Sequence, residues 1–256
     1  MTTIDLNADI GEADTPEWAA SEAAIVSAIS SANIACGGHA GDEASMRLTV
    51  RNAKAAGVTI GAHPAYPDRE NFGRRSLILG QDIERDVLKA SLRSQILTLA
   101  DICDAEDARL AYIKPHGALY NDSVFEAAKA DLIAEVISEL NMNLLFLGGP
   151  NSEMGRAASD HDLGFIAEGF IDRRYTDDGH LLSRKIDGAV IKDQTERLTQ
   201  AIALATQKPV ITHSGKSLLL KTGSLCVHGD SPGAVKTAQQ ARAAIEANGL
   251  TIKAFA

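Results

Sequence analysis

Four of the seven histidines stand in short loops that follow apolar runs: Cys36-Gly37-Gly38-His39, Gly61-Ala62-His63-Pro64, Lys114-Pro115-His116-Gly117 and Cys226-Val227-His228-Gly229-Asp230. The N-terminal segment Asp5-Leu6-Asn7-Ala8-Asp9 adds carboxylates in the same setting. Imidazoles and carboxylates at the ends of separate apolar segments suit proton transfer, charge stabilisation or metal binding, provided the fold brings those ends together. The strand ends of a parallel barrel do so.

Alternation in the first segment puts Ile4, Leu6 and Ala8 on one face and Asp5, Asn7 and Asp9 on the other. In a barrel the polar face points inward, where each group needs a partner, a metal or access to the site. Asp9 lies nearest the strand end and is the catalytic candidate, with Asp5 and Asn7 as members of a structural network. Lys114 and His116 flank Pro115, which keeps the chain extended, so both side chains leave one face. A cation beside an imidazole suits carbonyl polarisation coupled to proton transfer. His39 follows two glycines that permit a sharp bend, and Asp42 beyond it reads as the N-cap of the next helix.

His228 precedes a helix expected to open at Pro232, where free N–H groups or capping by Asp230 or Ser231 are equally compatible with the sequence. Glu168, Arg173 and Arg174 end another strand, and Arg173 has the geometry of a carboxylate clamp. Asp9, His39 and His63 offer an oxygen and two nitrogens to a divalent metal. Ser214-Gly215-Lys216-Ser217 resembles the end of a P-loop, but Val210 stands where that motif requires glycine, and the flanks read as a hairpin.

The elements that must position these groups alternate. Strands are expected over 4–10, 32–36, 58–62, 110–114, 144–147, 165–168, 188–191 and 225–228, with helices over 16–29, 42–56, 81–107, 122–140, 152–159, 193–206 and 232–247. A hairpin is expected over 210–220, and a long charged loop over 63–79. This rhythm predicts one α/β domain over 1–256, a TIM-like (β/α) barrel of seven or eight strands. No GxGxxG follows the first strand, which argues against a dinucleotide fold.

Composition narrows the function. With 25 basic and 34 acidic residues the net charge is −9, which disfavours nucleic acid and anionic membranes as partners. Cys36, Cys103 and Cys226 lack CxxC spacing and read as buried thiols in a reducing cytoplasm. No run approaches the roughly 18 apolar residues of a membrane span, and the N-terminus lacks a signal-peptide opening. The expectation is a soluble, cytoplasmic enzyme acting on a small molecule.

Several ordered motifs resemble the LamB/YcsF family across nearly the whole chain. They are Asp5-Leu6-Asn7-Ala8-Asp9-Ile10-Gly11-Glu12, the segment from Asn33 through Cys36-Gly37-Gly38-His39 to Asp42, Gly61-Ala62-His63-Pro64, Phe72-Gly73-Arg74-Arg75, Lys114-Pro115-His116-Gly117-Ala118-Leu119-Tyr120-Asn121, Asp172-Arg173 with Tyr175, and Cys226-Val227-His228-Gly229-Asp230. The resemblance implies a seven-stranded barrel similar to polysaccharide deacetylases. It also implies ATP-dependent opening of the lactam ring of 5-oxo-L-proline to L-glutamate, as one component of a multi-subunit 5-oxoprolinase beside subunits B and C. Ala8 stands where many members carry Cys, which removes a nucleophile there, and Thr222-Gly223-Ser224 replaces an Ala-Asp-Thr run.

In that chemistry Lys114 and His228 would stabilise negative charge, and Asp9 or His116 would activate water. His39 and His63 would orient the lactam or hold a metal, Arg74 or Arg173 would bind its carboxylate, and Glu168 would contact substrate. ATP, with Mg, would act within the assembled complex. Two rival readings fit the same residues: a metal-dependent amide or N-acetyl hydrolase without ATP, and a non-catalytic lactam-binding subunit.

Overall fold

The alternating N-terminal segment forms β1 (Thr3–Ile10), with Ile4, Leu6, Ala8 and Ile10 in the apolar layer and Asp5, Asn7 and Asp9 turned inward. Ala8 is therefore outside the site. The computed structural model describes residues 2–228 and 233–256. Around β1 the chain places β2 (Ser31–Ala35), β3 (Thr59–His63), β4 (Leu110–Ile113), β5 (Leu145–Gly148) and β6 (Phe165–Phe170) in sequence order. A later hairpin, β7 (Val210–Ile211) with β8 (Ser217–Leu218), stands apart as a two-stranded antiparallel sheet. Strand β9 (Ser224–Val227) then inserts between β6 and β1 and closes a seven-stranded parallel barrel. Strand β10 (Thr251–Ile252) extends the sheet at the first residues of β1.

Helices α1 (Pro16–Val26), α2 (Glu43–Ala55), α3 (Arg85–Ala105), α4 (Gly117–Phe125), α5 (Ala127–Glu139), α6 (Glu153–Asp160), α7 (Gln194–Ala205) and α8 (Ala234–Ala247) follow the strands. Their starts obey local chemistry. Thr15 caps α1 by accepting from the Trp18 N–H, with Pro16 in the first turn, and Asp42 forms a capping box with Ser45 ahead of α2.

Two expectations change, and one strand is new. The helix expected over 122–140 is two helices, because Glu126 is extended (φ −101°, ψ 101°) and α4 already begins at Gly117, directly after the Lys114–His116 loop. The strand expected over 188–191 is no barrel strand: Val190 makes only an isolated antiparallel bridge to Arg173. Its place is taken because β6 pairs directly with β9, Glu168 opposite Ser224, so 171–193 runs outside the barrel wall. Strand β10, two residues long, carries too little pattern to be anticipated. The expected helix start at Pro232 and the caps at Asp230 and Ser231 lie outside the described residues.

The barrel interior is polar in tiers, and one glycine makes the middle tier fit. A Cβ on Gly61 would lie 2.2 Å from the Tyr112 ring, so only glycine lets that ring cross the interior and donate its hydroxyl to Asn33 Oδ1 at 2.7 Å. At the N-terminal end Asp5 accepts from Ser30 (2.6 Å) and Ser31 (2.7 Å), and from Ser224. Burial, only partly offset by these hydroxyls, pushes the Asp5 carboxyl up to about 6 from an ordinary 3.8.

The folded chain therefore holds this proton more tightly than the unfolded chain between those values. The stabilisation is complete below 3.8 and is lost as pH rises through about 6. By neutral pH the loss is about 3 kcal/mol. Urea denaturation of the wild type and Asp5→Asn at pH 4 and pH 7 checks this. The variant is expected to gain on the wild type by that order across the interval, and a constant difference would refute it.

Candidate active site

Polar side chains at the upper strand ends surround an open cavity of about 890 Å³ at the C-terminal mouth. Asp9, Glu12, His63, Lys114, His116 and His228 all line it, although they come from β1, β3, β4 and β9 and the turns that follow them. Parallel strands deliver successive C-terminal ends to one face, which is why sequence-distant groups meet there.

Lys114 is the electrostatic centre and is 2 % exposed. Its ammonium donates to Asp9 Oδ1 at 2.9 Å and lies 2.9 Å from Glu168 Oε1, with Cys226 Sγ and Asn7 Oδ1 each at 3.3 Å. Burial opposes the charge, but Asp9 foremost, and Glu168 with it, hold the amine well above its usual range. Asp9 is the mirror case: burial would raise its carboxyl, yet the neighbouring His63 and the Lys114 ammonium keep it well below the usual carboxylate range. Lys114 and Asp9 are therefore both ionised at the cavity floor. Cys226 is a neutral thiol, pushed well up chiefly by burial.

The histidines form a second cluster. His63 Nδ1 lies 2.7 Å from the Lys114 carbonyl, and His116 Nε2 lies 3.0 Å from the Phe72 carbonyl. A carbonyl only accepts, so each of these nitrogens carries its ring's hydrogen. With both rings neutral, the remaining nitrogens, His63 Nε2 and His116 Nδ1, present lone pairs 3.1 Å apart, with Glu12 Oε1 3.3 Å from the latter. Burial, then the neighbouring His63 and His39, push the His116 imidazole far below its usual range, so this ring is neutral. Two lone pairs and a carboxylate oxygen converging on one point fit a divalent cation. Glu12, His63 and His116 are the group among the described residues whose donor atoms lie close enough together to share one.

The loop over 64–84 roofs this cluster. Phe72 and Gly73 adopt left-handed φ values of 54° and 62°, and a Cβ on Gly73 would lie 3.0 Å from His39 Cβ and 3.1 Å from His116 Cδ2. Glycine is what lets the roof approach the rings. His39 is 2 % exposed, stacks on His116 with centroids 3.6 Å apart, and sets Nε2 2.9 Å from Glu12 Oε1. Burial, then His63, push it down to about 2, so it is a neutral donor that orients Glu12.

Across the cavity His228 Nδ1 lies 2.9 and 2.8 Å from the two oxygens of Asp172. Burial would raise the Asp172 carboxyl, but His228 holds it below the ordinary range. The pairing fixes the His228 tautomer with its hydrogen on Nδ1, which makes Nε2 the nitrogen that can exchange a proton with a ligand. Beside it, Arg173 is 5 % exposed, donates from Nη2 to the Leu182 carbonyl at 2.6 Å, and has no hydrogen-bond partner at Nε.

Of the residues singled out from sequence, Asp9, His63, Arg74, Lys114, His116, Arg173 and His228 line one cavity. His39 and Glu168 do not. His39 sits behind Glu12, and Glu168, wholly buried, sits beneath Lys114 and accepts from Asn7 at 2.9 Å. The metal set expected from sequence, Asp9 with His39 and His63, is replaced by Glu12, His63 and His116. Sequence reasoning missed Glu12 and Asp172 as site members. Glu12 follows Asp9 by one turn at Gly11 (φ 78°), and Asp172 adjoins Arg173 at the exit of β6. Acids just beyond strand ends were the available signal.

A closed seven-stranded parallel barrel with cationic, carboxylate and imidazole groups gathered at its C-terminal mouth defines a TIM-like (β/α) barrel. The family 4 carbohydrate esterase from Streptomyces lividans shares this fold alone, with a TM-score of 0.50 and 12% identity over 100% of this chain and 93% of that one. Within that class the chain belongs to the LamB/YcsF family, whose model matches residues 4–256. It is 39% identical to an A subunit of 5-oxoprolinase from Agrobacterium fabrum over 256 residues, 100% of this chain and 99% of the relative. A lactam utilization protein from Thermus thermophilus superposes with a TM-score of 0.90 at 32% identity, with 100% of each chain covered.

Proposed function

We propose that this chain opens the lactam ring of 5-oxo-L-proline to L-glutamate, as the cavity-bearing component of an ATP-dependent 5-oxoprolinase that includes subunits B and C. The convergence of Lys114, Asp9, His228 and the Glu12–His63–His116 group on one cavity carries this reading, and the full-length likeness to relatives named as the A subunit of 5-oxoprolinase supports it. Cytoplasmic action belongs to the same proposal, supported by three free, buried cysteines.

A lactam is a resonance-stabilised amide, so its opening requires stabilisation of the tetrahedral oxyanion and protonation of the departing ring nitrogen. Lys114, held charged by Asp9 and Glu168, supplies a fixed positive charge at the cavity floor. His228, its other nitrogen fixed by Asp172, moves the proton between water and the ring nitrogen. Asp9 keeps the Lys114 ammonium in place from 2.9 Å, and its other oxygen lies 3.4 Å from His63 Nε2. Arg74, on the roof loop, pairs with the lactam carboxylate. A divalent cation held by Glu12, His63 and His116 would supply Lewis-acid polarisation of the amide oxygen.

ATP is used within the assembled complex rather than at Ser214-Gly215-Lys216-Ser217. That segment is the turn and first strand residue of the β7–β8 hairpin, with Lys216 2.7 Å from Asp177. The metal-capable group also favours a second reading, an amide hydrolase that needs metal and no ATP.

Glutamate release from 5-oxo-L-proline is the test, measured for the chain alone and with subunits B and C, with and without ATP and chelator. Release that requires partners and ATP supports the proposal. Release by the chain alone, without ATP and abolished by chelator, replaces it with the second reading. Calorimetric binding of the lactam with no release under any condition leaves a delivery role.

A further inference from the structure

The cavity is far larger than a five-membered lactam needs, and its charge is opposite to that of the chain. Among the described residues six cations line it, Arg74, Arg75, Lys114, Arg173, Arg184 and Lys185, against two carboxylates, Asp9 and Glu12, in a protein of net charge −9. Two of the six are already assigned: Lys114 is matched by Asp9 and Glu168, and Arg74 faces the lactam carboxylate. Of the other four, Arg75 adjoins Arg74 on the roof loop, and three belong to one stretch of chain, where Arg173 leaves β6 and the following excursion returns Ser183, Arg184 and Lys185 to the cavity wall. Two contacts hold that return in place, Leu182 N–H to the Arg174 carbonyl at 2.9 Å and Arg173 Nη2 to the Leu182 carbonyl at 2.6 Å.

Arg173 is unusual among these groups. It is more than nine-tenths buried, its Nε has no partner, and the neighbouring carboxylate of Asp172 is committed to His228. Burial first and the facing Arg184 second push its guanidinium down to about 10, which still leaves it charged at neutral pH. A buried cation that shares a cavity wall with a second cation is costly unless an anion joins them. Guanidinium forks pair bidentately with tetrahedral oxyanions, and a cleft lined by one sign of charge concentrates ligands of the other.

We infer that Arg173, Arg184 and Lys185 form a subsite for a tetrahedral dianion, a phosphoryl group, distinct from the place of the lactam carboxylate. The inference rests on the reading of this cavity as the lactam site and adds a second ligand group to it. The phosphoryl group reaches the subsite either on the lactam itself or as free or nucleotide-borne phosphate. Asp172 and Asp9 set its limits: an anion seated deeper than Arg173 would meet carboxylates.

Calorimetric titration of the full chain with inorganic phosphate tests the subsite, beside a parallel titration with 5-oxo-L-proline. The wild type is expected to bind phosphate. The double variant Arg184→Gln, Lys185→Gln is expected to bind it at least about tenfold more weakly, the weight of a lost charge-assisted contact, with lactam affinity unchanged. Arg173→Gln is expected to bind phosphate still less, and to fold, because it removes an unpaired buried charge. Its melting temperature without phosphate should match or exceed the wild type's, and phosphate should raise only the wild type's.

Absence of phosphate binding by the wild type, or equal binding by the double variant, overturns the inference. Lactam binding without phosphate binding removes the subsite and leaves the lactam reading standing. Phosphate binding without lactam binding does the reverse. Within a positive result, phosphate affinity raised by bound lactam assigns the group to a lactam-borne phosphoryl, and competition by ATP assigns it to the nucleotide.

Discussion

Lys114→Met is expected to abolish glutamate formation in the assembled enzyme and to lower the stability of the chain by roughly 3–5 kcal/mol, the cost of removing one partner from a buried ion cluster. The physical cause is specific. Lys114 neutralises two carboxylates at once, Asp9 and Glu168, each 2.9 Å from its ammonium, and Glu168 is wholly buried. Without the cation both must remain ionised without that ammonium or take up protons.

Loss of activity and loss of fold are separable. In the double variant Lys114→Met, Glu168→Gln the buried charge is removed with its partner, so chemical denaturation is expected to recover most of the lost stability while activity stays absent. Recovery of activity in the double variant would show that Lys114 serves the fold alone. Asp9→Asn is expected to fall between these cases: it leaves Lys114 paired with Glu168 and removes glutamate formation without unfolding the chain.

The second large effect concerns the histidine cluster. Glu12→Gln is expected to abolish binding of Zn²⁺ or Mn²⁺ titrated alone into the chain, because the amide cannot supply the anionic oxygen that faces His63 Nε2 and His116 Nδ1. His39→Ala should weaken binding by roughly 10–100-fold without abolishing it, the usual result of removing a group that orients a ligand. His39 is not among the convergent donors and reaches the site only through Glu12, 2.9 Å away. Metal content after dialysis and calorimetric titration check both variants. Unchanged metal affinity in Glu12→Gln would refute the cation reading, and complete loss in His39→Ala would make His39 a ligand.

Much of this arrangement is legible in the chain itself. The alternation of Ile4, Leu6 and Ala8 with Asp5, Asn7 and Asp9 settles which face of β1 turns inward, because burying those polar groups on the helix-covered face would leave them without partners. The Pro115 spacing correctly places Lys114 and His116 on one cavity. The motif likeness reaches the family from the same residues. Glu168 is legible as an inward acid but not as a partner of Lys114, since β4 and β6 are separated by β5 in the wall and meet only across the interior. The region over 171–193 mimics a barrel strand because apolar Ala189, Val190 and Ile191 have strand character, whereas direct β6–β9 pairing leaves that strand no place.

By itself, then, the sequence determined the element rhythm, the inward polar face and the set of strand-end groups, all of which follow from periodicity and local chemistry within a few residues. Only the tertiary structure decided which of those groups touch. Barrel closure and the roof loop brought the donor atoms of Glu12, His63 and His116, rather than those of Asp9, His39 and His63, close enough to share one ion. They also put His39 behind that group and joined His228 to Asp172 across 56 residues of chain. Such pairings depend on register, loop path and angstrom-scale separations between distant segments, and no local pattern along the chain encodes those distances.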